Sequence, residues 1–308
     1  MRSPAGLGTR RAGPLKAQAA AARAAVAIQP ETDTDAIRKL RNELSSFLRL
    51  ARRRRHEVFL ELFAGSGRLS ARLRKQGYAA MPLDVLYGDH HDVLRRAAEN
   101  IIIGWLRSKV VQGVWLGTPC SSWSRARRGP PGSGWCTIRD SSNLMGLPNL
   151  TDRDKARISL GNRTLAFSCR IISACIALGT PVAMENPATS MLWLVPRLQK
   201  LAAHAVAVRY CFDFCQYGAP WRKRTVVMAW HCVPADLNRR CSGHKGQCSR
   251  AKRHHIILQG AGPGGRLWTS IAEPYPAPVA RAAANMLIAS SEALRSQRLH
   301  QLVIAHAV

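Results

Sequence analysis

Val58-Phe59-Leu60-Glu61-Leu62-Phe63-Ala64-Gly65-Ser66-Gly67 decides the fold. Its first six residues are apolar but for Glu61, and read as a strand buried on both faces. Ala64 to Gly67 then make a tight turn into a helix carrying Leu69 and Leu73, which Gly77 closes. A second strand, Tyr78 to Leu83, ends at Asp84, 19 residues after Gly65. Strand, glycine turn, helix, strand and acid is an order that holds nucleotide-like ligands. The glycines admit the ligand to the backbone and the acid accepts from ribose hydroxyls. Plain turn chemistry gives the same short pattern. Asp92 is a further candidate contact, or else a cap for a helix predicted over Val93 to Leu106.

The next apolar run, Val110 to Leu116, leads into Gly117-Thr118-Pro119-Cys120-Ser121-Ser122-Trp123-Ser124. Pro119 fixes φ and turns the chain, which leaves Cys120 on a loop at the carboxyl end of a strand. Arg125, Arg127 and Arg128 surround it with positive charge that favours thiolate. A buried structural cysteine is the plainer alternative. An irregular segment from Ser121 to Leu150 has the length and composition of a functional lid or of a disordered stretch. After a helix ending at Gly179, the strand Thr180 to Met184 runs into Glu185-Asn186-Pro187. A carboxylate therefore leaves the sheet at the same end as Cys120. A helix within 190–203, a strand near 205–212, the turn Gln216 to Pro220 and the strand Arg224 to Trp230 complete the alternation. The pattern predicts an α/β fold with a doubly wound, mostly parallel sheet.

The chain has 308 residues, with 46 Lys and Arg against 18 Asp and Glu, for a net charge of +28. Its isoelectric point is near 11.2. Such an excess calls for a polyanion, most simply nucleic acid. An anionic membrane surface is the competing reading of that charge, but no membrane partner is expected, and no apolar run approaches the roughly 18 residues of a spanning helix. Nine cysteines, scattered or grouped with histidines, suit thiols and metal ligands better than disulfides. Residues 1–32 read as a basic disordered tail, and 33–56 as a basic helix and linker. Ile37, Leu40, Leu44, Phe47 and Leu48 share one face of that helix, and Arg52 to Arg55 close it. That basic run is a solvated stretch, a phosphate contact or a nuclear-targeting signal; the nucleus is the expected location.

Taken together, these motifs resemble the DNA cytosine-5 methyltransferases. Glu61 to Gly67 is similar to the family's cofactor motif, Pro119-Cys120 with Ser124 to its nucleophile motif, and Glu185-Asn186 to its catalytic acid motif. Tyr217-Gly218-Ala219-Pro220 with Arg222-Lys223-Arg224 resembles its arginine motif. Tyr275-Pro276-Ala277-Pro278, before a helix through Ala282, Leu287 and Ile288, resembles its closing motif. The resemblance implies a seven-stranded fold of the S-adenosylmethionine-dependent type, with a catalytic core over 57–230. It implies methyl transfer from S-adenosylmethionine to C5 of cytosine in DNA, with RNA as a close variant substrate. Cys120 would be the nucleophile and Glu185 the acid at N3, with Arg222 or Arg224 gripping the base or a phosphate. Phe63, Ala64, Gly65, Ser66, Gly67, Asp84, Asp92 and Pro119 would hold the cofactor. Ser124, Arg125, Arg127 and Arg128 would touch the nucleic acid. Trp221 stands where the family has Gln, and Pro187 where it has Val. A nucleic-acid-binding protein that kept the fold and lost turnover is the alternative.

Between the arginine and closing motifs lie only roughly 45 residues. Within them, 231–265 reads as a small Cys/His-rich recognition segment, and 266–308 as a returning C-terminal helix. Cys232, Cys241, Cys248 and His254 form a candidate zinc set, with His244 and His255 competing for the same role. A basic loop touching phosphates is the alternative, through Arg239, Arg240, Lys245, Arg250, Lys252 and Arg253.

Overall fold

The computed structural model describes residues 30–125 and 136–306. Six strands form one sheet in the order β2-β1-β3-β4-β6-β5. They are β1 Val58–Leu62, β2 Ala79–Leu83, β3 Val111–Leu116, β4 Val182–Pro187, β5 Ala207–Asp213 and β6 Arg224–Trp230. β1 pairs parallel with β2 and β3, and β3 with β4. β6 alone runs the other way, antiparallel to both β4 and β5. The helices are α1 Pro30–Arg53, α2 Arg68–Lys75, α3 Arg96–Arg107, α4 Asp152–Leu178, α5 Pro196–Ala202, α6 Trp268–Ile271 and α7 Ala277–His306.

Strand periodicity sorts the core into two layers. Leu60, Leu62, Val114, Leu116, Val182 and Met184 face the side packed by α1, α3, α4 and α5. Phe59, Trp115, Ala183 and Val227 face the side packed by α2 and α7. Helices on both faces explain why β1, β3, β4 and β6 are buried almost throughout, while edge strand β5 exposes Val208 and Arg209. The predicted α/β, doubly wound, mostly parallel sheet is present, with a Cys/His cluster that three residues of the segment after β6 form with Cys215. It has six strands among the described residues, not seven. From Leu83 to Val111 the chain makes two short 3-10 turns and the 12-residue α3. That length leaves no room for a further helix and strand.

The predicted apolar face of α1 is also present. Leu40 and Leu44 are buried, and Ile37, Phe47 and Leu48 pack at their edge. Glu43 pins this helix to the core by accepting from His90 and His91, each at 3.0 Å. Burial presses the Glu43 carboxyl upward, but the two histidines outweigh it and leave its pKa below the usual 4.5. No helix among the described residues is long and apolar enough to cross a membrane.

Candidate active site

The turn after β1 is built as its sequence demands. Phe63, Gly65 and Gly67 all have positive φ (55°, 54° and 64°). At Gly67 the left-handed φ favours glycine, and a Cβ there would also come within 2.7 Å of the Tyr87 hydroxyl and push it aside. Asp84, at the end of β2, braces this turn. Its Oδ2 accepts the Gly65 N–H at 3.0 Å and its Oδ1 the Leu86 N–H at 2.9 Å. The Tyr87 hydroxyl donates to the Gly65 carbonyl at 3.0 Å and so lies across the turn. Buried Glu61 accepts the Ser70 N–H at 2.7 Å and thereby caps the N-terminus of α2. Burial pushes its pKa up to about 7, against the pull of Ser70. Asp92 accepts the Leu94 N–H at 3.0 Å and caps the turn before α3.

Cys120 and Glu185 do leave the sheet at one end, and a side chain joins their loops. Asn186, fully buried at the end of β4, donates from Nδ2 to the Thr118 carbonyl at 2.7 Å. Thr118 is held from the other side by Ser168 of α4 at 2.8 Å. Gly117 has no room for a side chain, because a Cβ would meet the Phe63 carbonyl at 2.7 Å. Pro119 and Cys120 thus follow a strand end fixed at three points.

By strand alternation Glu185 projects on the same side as Trp115 and Ala183, toward α7. The Tyr275 hydroxyl, at the threshold of α7, accepts from Trp115 Nε1 at 3.0 Å and donates to Glu185 Oε2 at 3.2 Å. Arg68 holds the Tyr275 carbonyl at 2.6 Å. Lys223 Nζ lies 3.9 Å from Glu185 Oε1, an oxygen with no hydrogen-bond partner. Burial raises the Glu185 pKa above 4.5; Lys223 and Tyr275 pull it back only in part. Burial likewise raises the Cys120 thiol above 9, Lys223 lowers it, and Glu185 and Glu273 raise it further. Thiol, carboxyl and ammonium therefore act on one another.

The other expected site residues are placed as follows. Arg222 and Arg224 face Asp213 instead of the Cys120–Glu185 site. Asp213 is fully buried, and Arg224 grips both its oxygens at 3.1 Å, with Arg222 Nε 3.6 Å away. The basic side chain beside the acid is Lys223, which lies 4.8 Å over the Phe214 ring. Ser124 and Arg125 line a cavity of about 320 Å3 together with Ser122, Arg139, Asp140 and Met191. Arg127 and Arg128 lie outside the described residues.

Arg139 went unread in the sequence. It is 1% exposed, its guanidinium lies 3.5 Å over Trp123, and it donates to Ser122, Leu144, Ile158 and Asn162. Burial lowers its pKa to about 10. It anchors the segment that follows Cys120, and its place in the sequence, between Ile138 and Asp140, carries no sign of its burial.

Of the candidate zinc ligands, Cys241 and Cys248 come together, but with Cys215 and His255. Cys232 is directed at the Trp230 and Val182 carbonyls of the core. His254 pairs with Gln247 across an isolated β-bridge.

The sequence matches no family model and no curated protein. Among solved structures, the chain is similar to the Entamoeba histolytica methyltransferase EhMeth. The identity is 13% and the TM-score 0.35, over 68% of this chain and 63% of that one. It is also similar to S. pombe Dnmt2 methyltransferase, at 11% identity and TM-score 0.33, over 57% and 49% of the two chains. A Spodoptera frugiperda DNMT2 variant gives 13% and 0.33, over 66% and 58%. The chain thus spans about half to two-thirds of the length of each. Likeness at these values says nothing about chemistry, which has to come from the site itself.

Proposed function

We propose that this chain methylates C5 of cytosine in DNA, with S-adenosylmethionine as donor, Cys120 as nucleophile and Glu185 as acid. The observation that carries this reading is the shared corner of Cys120, Glu185 and Lys223, held together by the Asn186–Thr118 bond. Direct methyl transfer to nitrogen or oxygen needs no thiol beside a buried acid. Carbon 5 of cytosine is a poor nucleophile, and both groups serve it.

In the reactive form the pair holds one proton, on Glu185. The Cys120 thiolate adds to C6, the ring electrons move toward N3, and N3 takes the Glu185 proton. Lys223 steadies the negative charge before addition and on Glu185 after it. Once C5 carries the methyl group, loss of the C5 proton to solvent expels Cys120 as thiolate, and the proton on N3 returns to Glu185. A base within a duplex cannot reach both groups, so the cytosine enters unstacked. The excess of 28 positive charges supports a polyanionic substrate.

The residues present fit the donor. A Cβ built on Gly65 meets nothing within 4 Å, so the turn is open there. Phe63, Ala64, Gly65, Ser66 and Gly67 would hold the methionine end, with Pro119 nearby and Asp84 toward the ribose. When bound, the donor supplies an electrophilic methyl group. Tyr87 must swing aside for the adenosine. It is 41% exposed and tied by one neutral hydrogen bond, a cost of about 1 kcal/mol.

The test is covalent trapping. DNA containing 5-fluorocytosine should form a stable adduct with the wild-type chain plus S-adenosylmethionine, and none with Cys120→Ala. Equal trapping by both proteins overturns the mechanism. Trapping on 5-fluorocytosine RNA alone would move the substrate to RNA. The position of Tyr87 favours a second reading, a nucleic-acid-binding protein without turnover. Salt-dependent DNA binding, with no heat of S-adenosylmethionine binding in wild type or Tyr87→Ala, would establish it.

A further inference from the structure

We propose that Cys215, Cys241, Cys248 and His255 bind one zinc ion that fastens the segment 231–265 to the catalytic core. The four ligand atoms lie within 4.8 Å of one another. The edge of a tetrahedral zinc site is about 3.5–3.8 Å, given Zn–S near 2.3 Å and Zn–N near 2.0 Å. Cys241 Sγ and His255 Nε2 already stand 3.7 Å apart. The other contacts close by at most about 1 Å around an ion.

The surroundings of the sulfurs are those of metal-bound thiolates. The Ser249 N–H and hydroxyl both donate to Cys241 Sγ, at 3.4 and 3.5 Å. Gln216 Nε2 donates to Cys215 Sγ at 3.6 Å and to Cys248 Sγ at 3.7 Å. Four donor contacts reach three sulfurs, and no carboxylate appears among the ligands. Without a cation between them three sulfurs this close must keep their protons, and a metal ion takes the place of those protons. All three cysteines are free and buried. A soft Cys3His set in tetrahedral reach selects zinc.

The local backbone is built to present these ligands. Cys248 N–H bonds the Arg253 carbonyl at 2.7 Å and Lys252 N–H the Cys248 carbonyl at 2.9 Å, which closes a knuckle between Cys248 and His255. Lys245 and Lys252 adopt positive φ, 47° and 55°, to make its bends. Cys215 is different in origin. It belongs to the 3-10 turn Phe214–Tyr217 after β5. The ion therefore joins two distant parts of the chain and does not fold a free-standing finger. That turn also leads to Lys223, so the metal would fix the base of the catalytic lysine's loop. The zinc assignment stands whether or not Cys120 acts on cytosine.

The test uses the full chain. Elemental analysis of the purified protein should give about one zinc per chain. Cys248→Ser and His255→Ala should lose most of it, while Cys232→Ser and His254→Ala keep it. Should the ligand variants fail to fold, the wild type alone decides. Alkylation followed by mass spectrometry should find Cys215, Cys241 and Cys248 protected until a chelator is added, with Cys232 indifferent to chelator. Cobalt in place of zinc should show the thiolate charge-transfer and tetrahedral d–d bands. Absence of metal even after equilibration with zinc chloride would overturn the proposal. So would a Cys241–Cys248 disulfide, iron in place of zinc, or zinc retained in Cys248→Ser.

Discussion

The hydroxyl of Tyr275 donates to Glu185 at 3.2 Å across 90 positions of sequence. The same oxygen accepts from Trp115, so one phenol ties the central strand β3, the acid on β4 and the entry to α7. Glu185 is thereby aimed by its neighbours, and burial shifts its balance toward the protonated form, the one an acid needs if it is to donate.

Tyr275→Phe should disturb this relay without emptying the core. The phenyl ring fills the same space, but Trp115 Nε1 loses its acceptor. A buried donor left without a partner costs about 1–3 kcal/mol. Tyr275 also lowers the Glu185 pKa, so its removal should move the acid limb of the rate profile to higher pH. Thermal unfolding and kcat against pH measure the two effects. A stable variant with an unmoved limb would mean that Tyr275 only packs.

How much of this could be read beforehand varies with distance along the chain. Strands buried on both faces announce themselves, and β1, β3 and β6 lie within a residue or two of the apolar runs that predicted them. The ends of β3 and β4 fell at one edge of the sheet because parallel strands joined by helices must place them there. The basic triplet Arg222-Lys223-Arg224 did not yield its phase. Pairing Asp213 opposite Arg224 in the β5–β6 ladder turns the two arginines to one side and leaves Lys223 for the acid. The signal was Asp213 itself, an acid between Phe212 and Phe214 that needed a cation. Cys215 was hidden for a similar reason. It lies 26 positions before Cys241, across a whole strand, and only the tertiary fold brings them together.

Rate should depend on pH as a broad plateau. Burial lifts the Glu185 pKa above 4.5 and the Cys120 pKa above 9. As pH falls through the Glu185 value, both groups become protonated and the thiolate disappears. As pH rises through the Cys120 value, both are ionised and no proton remains for N3. Between the two, the pair carries one proton and the reactive tautomer is a constant fraction. Lys223 lowers both values, so Lys223→Gln should move both limbs to higher pH and reduce the plateau. A single limb moving alone would separate Lys223 from one of the two groups.

Asn186→Ala removes the donor that holds the Thr118 carbonyl at 2.7 Å and leaves that carbonyl with one fewer buried partner. Stability should fall by about 1–3 kcal/mol. The loss in kcat should be larger, on the order of 100-fold, because a displacement near 1 Å at the nucleophile is enough for that. Single-turnover kinetics and binding of substrate DNA, measured side by side, would distinguish lost positioning from lost affinity.

Asp213→Asn tests the arginines' structural assignment. Asp213 is fully buried, grips Arg224 with both oxygens and accepts the Cys241 N–H at 2.8 Å. Burial alone would raise its pKa, but the Arg224 bonds and the Cys241 N–H outweigh it and hold the net value below 3.8. Its contribution to stability is therefore present above the unfolded value and fades as pH falls through the lower folded one. The variant should lose about 2–3 kcal/mol at neutral pH, the low end for a broken buried pair because Arg224 keeps water contact. Wild type and variant should draw together as pH falls below the unfolded carboxyl pKa and converge only in strong acid, below the still lower folded value. Denaturant melts at several pH values give both quantities. A variant that kept wild-type stability at pH 7 and lost only activity would return Arg224 to the catalytic site.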